Sequence, residues 1–160
     1  DLQDRSLSAL APLSEAADLA PAVAALLADP HDGRAKLWTT WRALQLRRAH
    51  PALFEAGDYR PLELEGVRAA HAVAYARRHG SMLLVTVVGR LFAGLGTDVG
   101  TPPVGAVWGD TTVALEKLPG GLTLRNVLTG EVQQPVDGRL SLARTFTTWP
   151  VAILVGEPRE

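Results

Sequence analysis

The sequence contains no cysteine, and this absence excludes several kinds of chemistry. Disulfides, thiol nucleophiles and thiolate zinc sites all require that residue. No window approaches the roughly 18 consecutive apolar residues of a membrane span, and residues 1–10 lack the basic and apolar regions of a signal peptide. We therefore expect no membrane span, and we expect a cytoplasmic location.

An excess of charge of either sign is also missing. Lys and Arg together number 16 against 17 Asp and Glu, which gives a formal charge of -1. No overall field favours nucleic acid or an anionic membrane, so we predict neither as a partner. The 160 residues suffice for one domain with a sizeable core, or for a small domain plus a helical piece. The chain begins at Asp1 without an initiator Met, which leads us to expect a piece of a longer protein.

The N-terminal third predicts two helices. Apolar residues recur there at helical spacing, at Leu19, Val23, Leu26 and Leu27. This spacing predicts a helix over about 14–28. A second helix is predicted from an N-cap at Asp32 or Gly33 to about His50, because the residue before Pro51 disfavours the helical conformation.

Two tryptophans lie on the second predicted helix. Its helical spacing predicts one shared face, made of Leu37, Trp38, Trp41, Leu44 and Arg48. Trp38 and Trp41 suit stacking against a sugar ring. Burying both, however, stabilises by on the order of 10 kcal/mol as an upper estimate, so we predict packing in a core or interface instead.

From Tyr59 onward the pattern changes from a helical to an alternating one. Strands are predicted at 60–64, 71–77, 82–88, 111–115, 122–128, 139–142 and 151–155. Because the connections are short, the strands are expected to form an antiparallel β-sandwich. The predicted fold class is therefore α+β, with a helical segment over 1–56 and a β-sandwich domain over 57–160.

Several catalytic and binding motifs are absent or weak. Residues 94–100 resemble a phosphate-binding loop only faintly, because no helix pattern follows. The four histidines show no metal-ligand spacing, and no serine triad is recognisable. Glu63 and Glu65 alternate along one predicted strand, which favours a solvent-exposed face over a catalytic pair. We therefore expect no metal and no cofactor.

Two features remain as candidate binding elements. Asp32 and Lys36 are four residues apart at a helix start, so they lie on one face. An N-cap with an ordinary ion pair explains their spacing equally well. The stretch 89–109 contains six glycines and a Pro102-Pro103 pair without any period, and loops of that length are usually functional or disordered.

The junction between helix and strands resembles a known one. LQLRRAHPALF at 44–54, followed by Gly57, Asp58 and Tyr59, is similar to the exit from the catalytic barrel in the α-amylase superfamily. Four further segments resemble the maltooligosyl trehalose synthase family of glycoside hydrolase family 13: DGRAKL at 32–37, WGDT at 108–111, VLTG at 127–130, and Phe146 with PVAIL at 150–154. The resemblance covers about 29–155.

This resemblance implies a function for the parent protein. The family converts the reducing-end α-1,4 linkage of a malto-oligosaccharide to α,α-1,1, in a retaining intramolecular transglycosylation. Its catalytic carboxylates lie on earlier barrel strands, so we expect no catalytic residue in this chain and no activity from it alone. The helical segment is then the end of a barrel whose active site lies at the helix N-termini, near Asp32 and Lys36. We expect both to hydrogen-bond sugar hydroxyls.

Two other interpretations remain open. The chain is alternatively the C-terminal domain of another α-amylase-superfamily glucan enzyme. It is otherwise a non-catalytic carbohydrate-binding or interaction module, in which Trp108, Trp149 or the glycine-rich loop makes the contact. The expected partner is a malto-oligosaccharide bound by the barrel, and a helical face without its barrel is expected to favour self-association.

Overall fold

The computed structural model describes residues 19–27, 33–98, 100–115, 118 and 121–157. Helices α1 (Ala20–Leu27), α2 (Arg34–Ala49) and α3 (Pro51–Glu55) come first, and a single helical turn, α4 (Leu142–Thr145), lies near the end. The strands between and after them are β1 (Asp58–Leu62), β2 (Leu64–Glu65), β3 (Ala72–His79), β4 (Met82–Gly89), β5 (Thr112–Ala114), β6 (Thr123–Asn126), β7 (Val132–Gln133), β8 (Arg139–Ser141) and β9 (Val151–Glu157).

The strands form two antiparallel sheets. The large sheet has the order β1-β3-β4-β9-β6-β7, and the small sheet has the order β2-β5-β8. Every pairing between these strands is antiparallel, which confirms that part of the predicted fold. The longest ladders join β3 to β4 and β4 to β9 at the centre of the large sheet.

One predicted strand is wrong in its extent. The pattern over 60–64 predicts a single strand, but the chain leaves the large sheet after Leu62 and enters the small sheet at Leu64. The carbonyl of Glu63, between them, accepts a hydrogen bond from the amide of Ala114 at 2.9 Å. Apolar and polar residues continue to alternate through Glu63, so the sequence pattern does not reveal the change of sheet. The two-residue strand β7 was not predicted either.

The main core lies between the two sheets. Leu83, Val85 and Val87 of β4 are fully buried on the inner face of the large sheet. Trp108 and Phe146 fill the same core, with ring centroids 5.0 Å apart in an edge-to-face arrangement. Aromatic pairs in this geometry add to the stabilisation from burial alone.

A second apolar cluster lies on the outer face of the large sheet. Leu84 of β4 and Ile153 of β9 contact Leu53 of α3 and Leu128 there, and all four are buried. Partly buried residues of α2 pack against the same cluster. The helices therefore cover part of this face.

The helices follow local capping rules. Gly33 is the N-cap of α2 with φ 75°, a left-handed conformation that favours glycine, and its carbonyl accepts the amide of Leu37 at 3.1 Å. The helix ends at Ala49, two residues before Pro51. Of the predicted 14–28 helix, residues 20–27 form α1, Leu19 precedes it without helical structure, and the rest lie outside the described part of the chain. No helix within the described ranges is long and apolar enough to cross a membrane.

Candidate functional site

The structure describes one of the two predicted sugar-binding residues. Lys36 lies in the first turn of α2, and its side chain is exposed. Asp32 lies outside the described residues, so its contact with Lys36 stays a prediction, as does sugar binding by either residue. The N-cap of α2 is Gly33, one of the two residues predicted for that position.

Trp38 and Arg42 attach α2 to the β-domain. The Trp38 indole, 3% exposed, donates its Nε1 hydrogen to the carbonyl of Leu128 at 3.0 Å. Arg42 Nε donates to the carbonyl of Val127 at 2.7 Å, and its guanidinium lies 5.4 Å from the centre of the Trp38 ring. Partial burial lowers the pKa of the Arg42 guanidinium from its ordinary value. Directional bonds to two adjacent carbonyls thus fix the helix on the sheet.

The structure confirms part of the predicted shared face of this helix. Leu37, Trp38 and Trp41 pack in one apolar cluster with α1. Leu37 and Trp41, together with Leu44 and Arg48, also line a groove of about 330 Å³. Leu44 is 50% exposed, whereas Trp38 is buried and bonds the β-domain.

The acidic and histidine side chains of the described residues have mostly separate surroundings. Glu65 forms an ion pair with Arg139 on the exposed side of the small sheet. His71 Nδ1 lies 3.1 Å from the carbonyl of Leu91. Within the described residues no three His, Asp or Glu side chains come close enough to hold a metal ion.

The tryptophans divide into anchored and unanchored ones. Trp108 is fully buried and donates to the carbonyl of Pro103 at 2.7 Å, so its indole, like that of Trp38, has a structural role. Trp149 is partly buried, and in the described part of the chain its solvent-shielded Nε1 hydrogen has no acceptor. Leaving such a donor unpaired costs about 1–3 kcal/mol. Trp149 therefore carries a shielded polar atom that the described part of the fold leaves without an acceptor.

Trp149 lines a cleft beside the glycine-rich loop. The cleft has a volume of about 470 Å³, within the range of small-molecule sites. One wall is Trp149 with Pro150 and Val151, and the other comes from the loop. Its loop wall carries an aromatic ring and three polar side chains: Phe92, Thr97, Asp98 and Thr101.

The loop that forms the cleft is tied to the domain at both ends. The amide of Gly89 donates to the carbonyl of Pro150 at 2.8 Å, and that of Gly105 donates to the carbonyl of Phe146 at 2.8 Å. A Cβ on Gly89 would lie 2.7 Å from Cε1 of Phe92, so only glycine lets this ring approach the backbone. Leu91 has φ 54°, an uncommon conformation for its side chain, so the loop starts under local strain.

Sequence reasoning anticipated part of this arrangement. The missing period over 89–109 indicated a functional or a disordered loop, and Trp149 was a candidate contact. Trp108, the other candidate, is buried in the core. Phe92, Thr97, Asp98 and Thr101 were missed, since only the folded chain brings the loop and Trp149 together.

Comparison with known proteins gives limited similarity. No protein-family model matches the sequence, and no curated protein matches it. Among solved structures, an Anoxybacillus α-amylase, described as a new glycosyl hydrolase subclass, matches 74% of this chain at 17% identity with a TM-score of 0.45. AmyB, a noncanonic maltogenic α-amylase from Thermotoga neapolitana, matches 66% at 13% identity with a TM-score of 0.35. The matched region spans 22% of the first amylase and 20% of the second.

Proposed function

We propose that this chain is the C-terminal part of an α-amylase-superfamily glucan enzyme, and specifically of a maltooligosyl trehalose synthase. The observation that carries the proposal is that the helix between two segments resembling this family bonds a third such segment. Trp38 and Arg42, which follow the DGRAKL segment, bond the carbonyls of Leu128 and Val127 in the VLTG segment, 90 and 85 residues away. The helix that links the DGRAKL and LQLRRAHPALF segments is therefore held against the VLTG segment.

The role of the chain in this proposal is structural. The parent enzyme breaks the reducing-end α-1,4 bond of a malto-oligosaccharide and forms an α,α-1,1 bond between the same two glucose units. The catalytic carboxylates belong to barrel strands upstream of this chain, and the malto-oligosaccharide binds there. A cytoplasmic location and self-association through the exposed face of α2 stay predictions.

The first test is the upstream coding sequence together with the activity of the parent enzyme. We expect a barrel with an Asp nucleophile and a Glu acid/base, and trehalosyl product from maltopentaose. The isolated 160-residue chain should form none. A parent that releases only maltose or glucose would instead support the other superfamily interpretation, and an upstream sequence without a barrel would contradict both.

Lys36 gives a sharper test of the site. In this proposal its ammonium group hydrogen-bonds a sugar hydroxyl at the mouth of the barrel cleft. Because a charge-assisted hydrogen bond contributes roughly 1.5–3 kcal/mol, Lys36→Ala in the parent enzyme should raise KM about tenfold or more and increase the share of hydrolysis. The matched control is Arg47→Ala, which removes an exposed cation at the opposite end of α2. Identical kinetics and product ratio in the two variants would rule out this role.

A further inference from the structure

We propose that the cleft between Trp149 and the glycine-rich loop binds a glucose unit of a malto-oligosaccharide, apart from any site in a barrel. The choice of sugar rests on the proposed function. The existence of a ligand site rests on the cleft itself, whose volume of about 470 Å³ suits a small molecule.

The lining matches the two faces of a pyranose ring. The Phe92 ring on the loop wall and the Trp149 indole on the other wall offer aromatic surface to the sugar's C–H faces. Thr97, Asp98 and Thr101 add hydroxyl and carboxylate oxygens that accept or exchange hydrogen bonds with sugar hydroxyls. The lining thus combines an apolar bed with a few polar groups, as sites for neutral amphipathic ligands do.

The charge of the cleft narrows the class of ligand. Asp98 is its single ionisable lining residue within the described part of the chain, and it is acidic. A phosphate or carboxylate ligand would meet repulsion there without a compensating cation. A neutral polyol meets no such cost.

Trp149 supplies the observation that distinguishes this cleft from an ordinary surface depression. The indole hydrogens of Trp38 and Trp108 are both used by backbone carbonyls, while that of Trp149 is shielded from solvent and unpaired. In this proposal the Trp149 ring turns toward the cleft when the sugar binds, so that a sugar hydroxyl accepts this hydrogen. Sugar binding would thereby satisfy a donor that the fold leaves unsatisfied.

The loop is held in place before any ligand arrives. Arg90 donates its amide to the carbonyl of His71 at 2.7 Å and its Nε to the carbonyl of Ala70 at 3.1 Å. The ring of His71 in turn lies against Gly94, where a Cβ would approach its Cε1 to 2.5 Å. A wall fixed in this way loses little conformational entropy on binding.

The test is titration of the 160-residue chain with maltotriose, followed by calorimetry and by NMR of the indole N–H signals. We expect saturable binding and a shift of the Trp149 signal, with the signals of Trp38 and Trp108 unmoved. Phe92→Ala and Asp98→Ala should each weaken binding at least tenfold. Phe92 is 37% exposed and Asp98 is exposed, so the fold should tolerate both changes. If one of these variants does not fold, the maltotriose affinity of the other variant tests the proposal.

The matched control is Tyr59→Ala on β1. Tyr59 is 58% exposed and stacks on Tyr75 with ring centroids 5.1 Å apart, away from the cleft. Unchanged maltotriose binding in this variant supports the cleft, whereas lost binding would overturn the proposal in favour of the tyrosine pair. The absence of saturation at millimolar maltotriose would also overturn the proposal. So would Phe92→Ala and Asp98→Ala variants that both bind maltotriose as tightly as the unaltered chain. A chain that binds an apolar dye but does not bind maltotriose would likewise overturn the proposal, because the cleft would then be a surface for another protein segment.

Failure here and failure of the proposed function are distinguishable. The cleft is tested on the isolated chain by binding, whereas the proposed function is tested on the parent by its upstream sequence and its products. A parent that forms trehalosyl product while the isolated chain ignores maltotriose would remove only the cleft site.

Discussion

The two faces of the large sheet are covered by different elements. On the inner face Leu83, Val85 and Val87 are fully buried against the small sheet and the Trp108–Phe146 pair. On the outer face Leu84 is buried beneath the helices, but Val73 is 42% exposed and Tyr59 is 58% exposed toward the β1 end. The inner core is therefore closed by this chain itself, while among the described residues the outer face is closed where α2 and α3 lie and is open toward β1.

The difference shows that two kinds of interaction hold the molecule together. The inner face depends on filled apolar volume, which is non-directional and large in total. The attachment of α2 to the outer face depends also on two hydrogen bonds from Trp38 and Arg42 to successive carbonyls. Changes on the inner face should therefore cost more stability than changes at the helix junction, and changes on the exposed rim should cost least.

The largest expected effect is at the inner core. Trp108→Ala should lower the free energy of unfolding by about 3–5 kcal/mol, because it leaves a cavity beside Phe146 and removes the donor to Pro103. Urea denaturation followed by circular dichroism measures the change. A loss below 1 kcal/mol would break the distinction between the two faces, since this residue is fully buried.

A smaller effect is expected at the helix junction. Trp38→Phe keeps most of the buried ring but leaves the carbonyl of Leu128 without its donor, which should lower the free energy of unfolding by roughly 1–2 kcal/mol. Trp41→Phe is the matched control, because Trp41 is the half-buried neighbour with its ring centroid 5.6 Å away. Equal losses in the two variants, measured by urea denaturation, would show that the hydrogen bond does not fix α2.

The smallest effect is expected on the exposed rim. Glu65→Gln removes the ion pair with Arg139, whose side chains are 51% and 38% exposed. Such pairs are screened by solvent, so the free energy of unfolding should change by less than about 0.5 kcal/mol. Thermal denaturation at low and high salt checks this, and a larger loss confined to low salt would assign the pair a real stabilising role.

Much of the fold follows from the sequence where burial and period agree. The strand predicted over 82–88 corresponds to β4, because its run of apolar residues is buried on both faces. The crossing at Glu63 was not predictable, since alternation passes through it unchanged. β7 was missed because two residues are too few to establish a period.

The candidate sites were less predictable than the fold. The side that Trp38 takes is set by the carbonyl of Leu128, 90 residues away, and helical spacing alone grouped it with Leu44. The cleft depends likewise on contacts such as that of His71 with Leu91, which lies 20 residues later at the start of the stretch without a period. Local patterns cannot report contacts of this kind.

The ends of the large sheet bear on the behaviour of the chain at high concentration. An edge strand with free backbone groups is a template for a strand from another molecule, and this leads to aggregation. At one edge β1 contains Pro61, which offers no N–H, beside the charged side chains of Asp58 and Arg60. At the other edge β7 is only two residues long. Both ends therefore resist edge-to-edge polymerisation without help from a neighbouring domain.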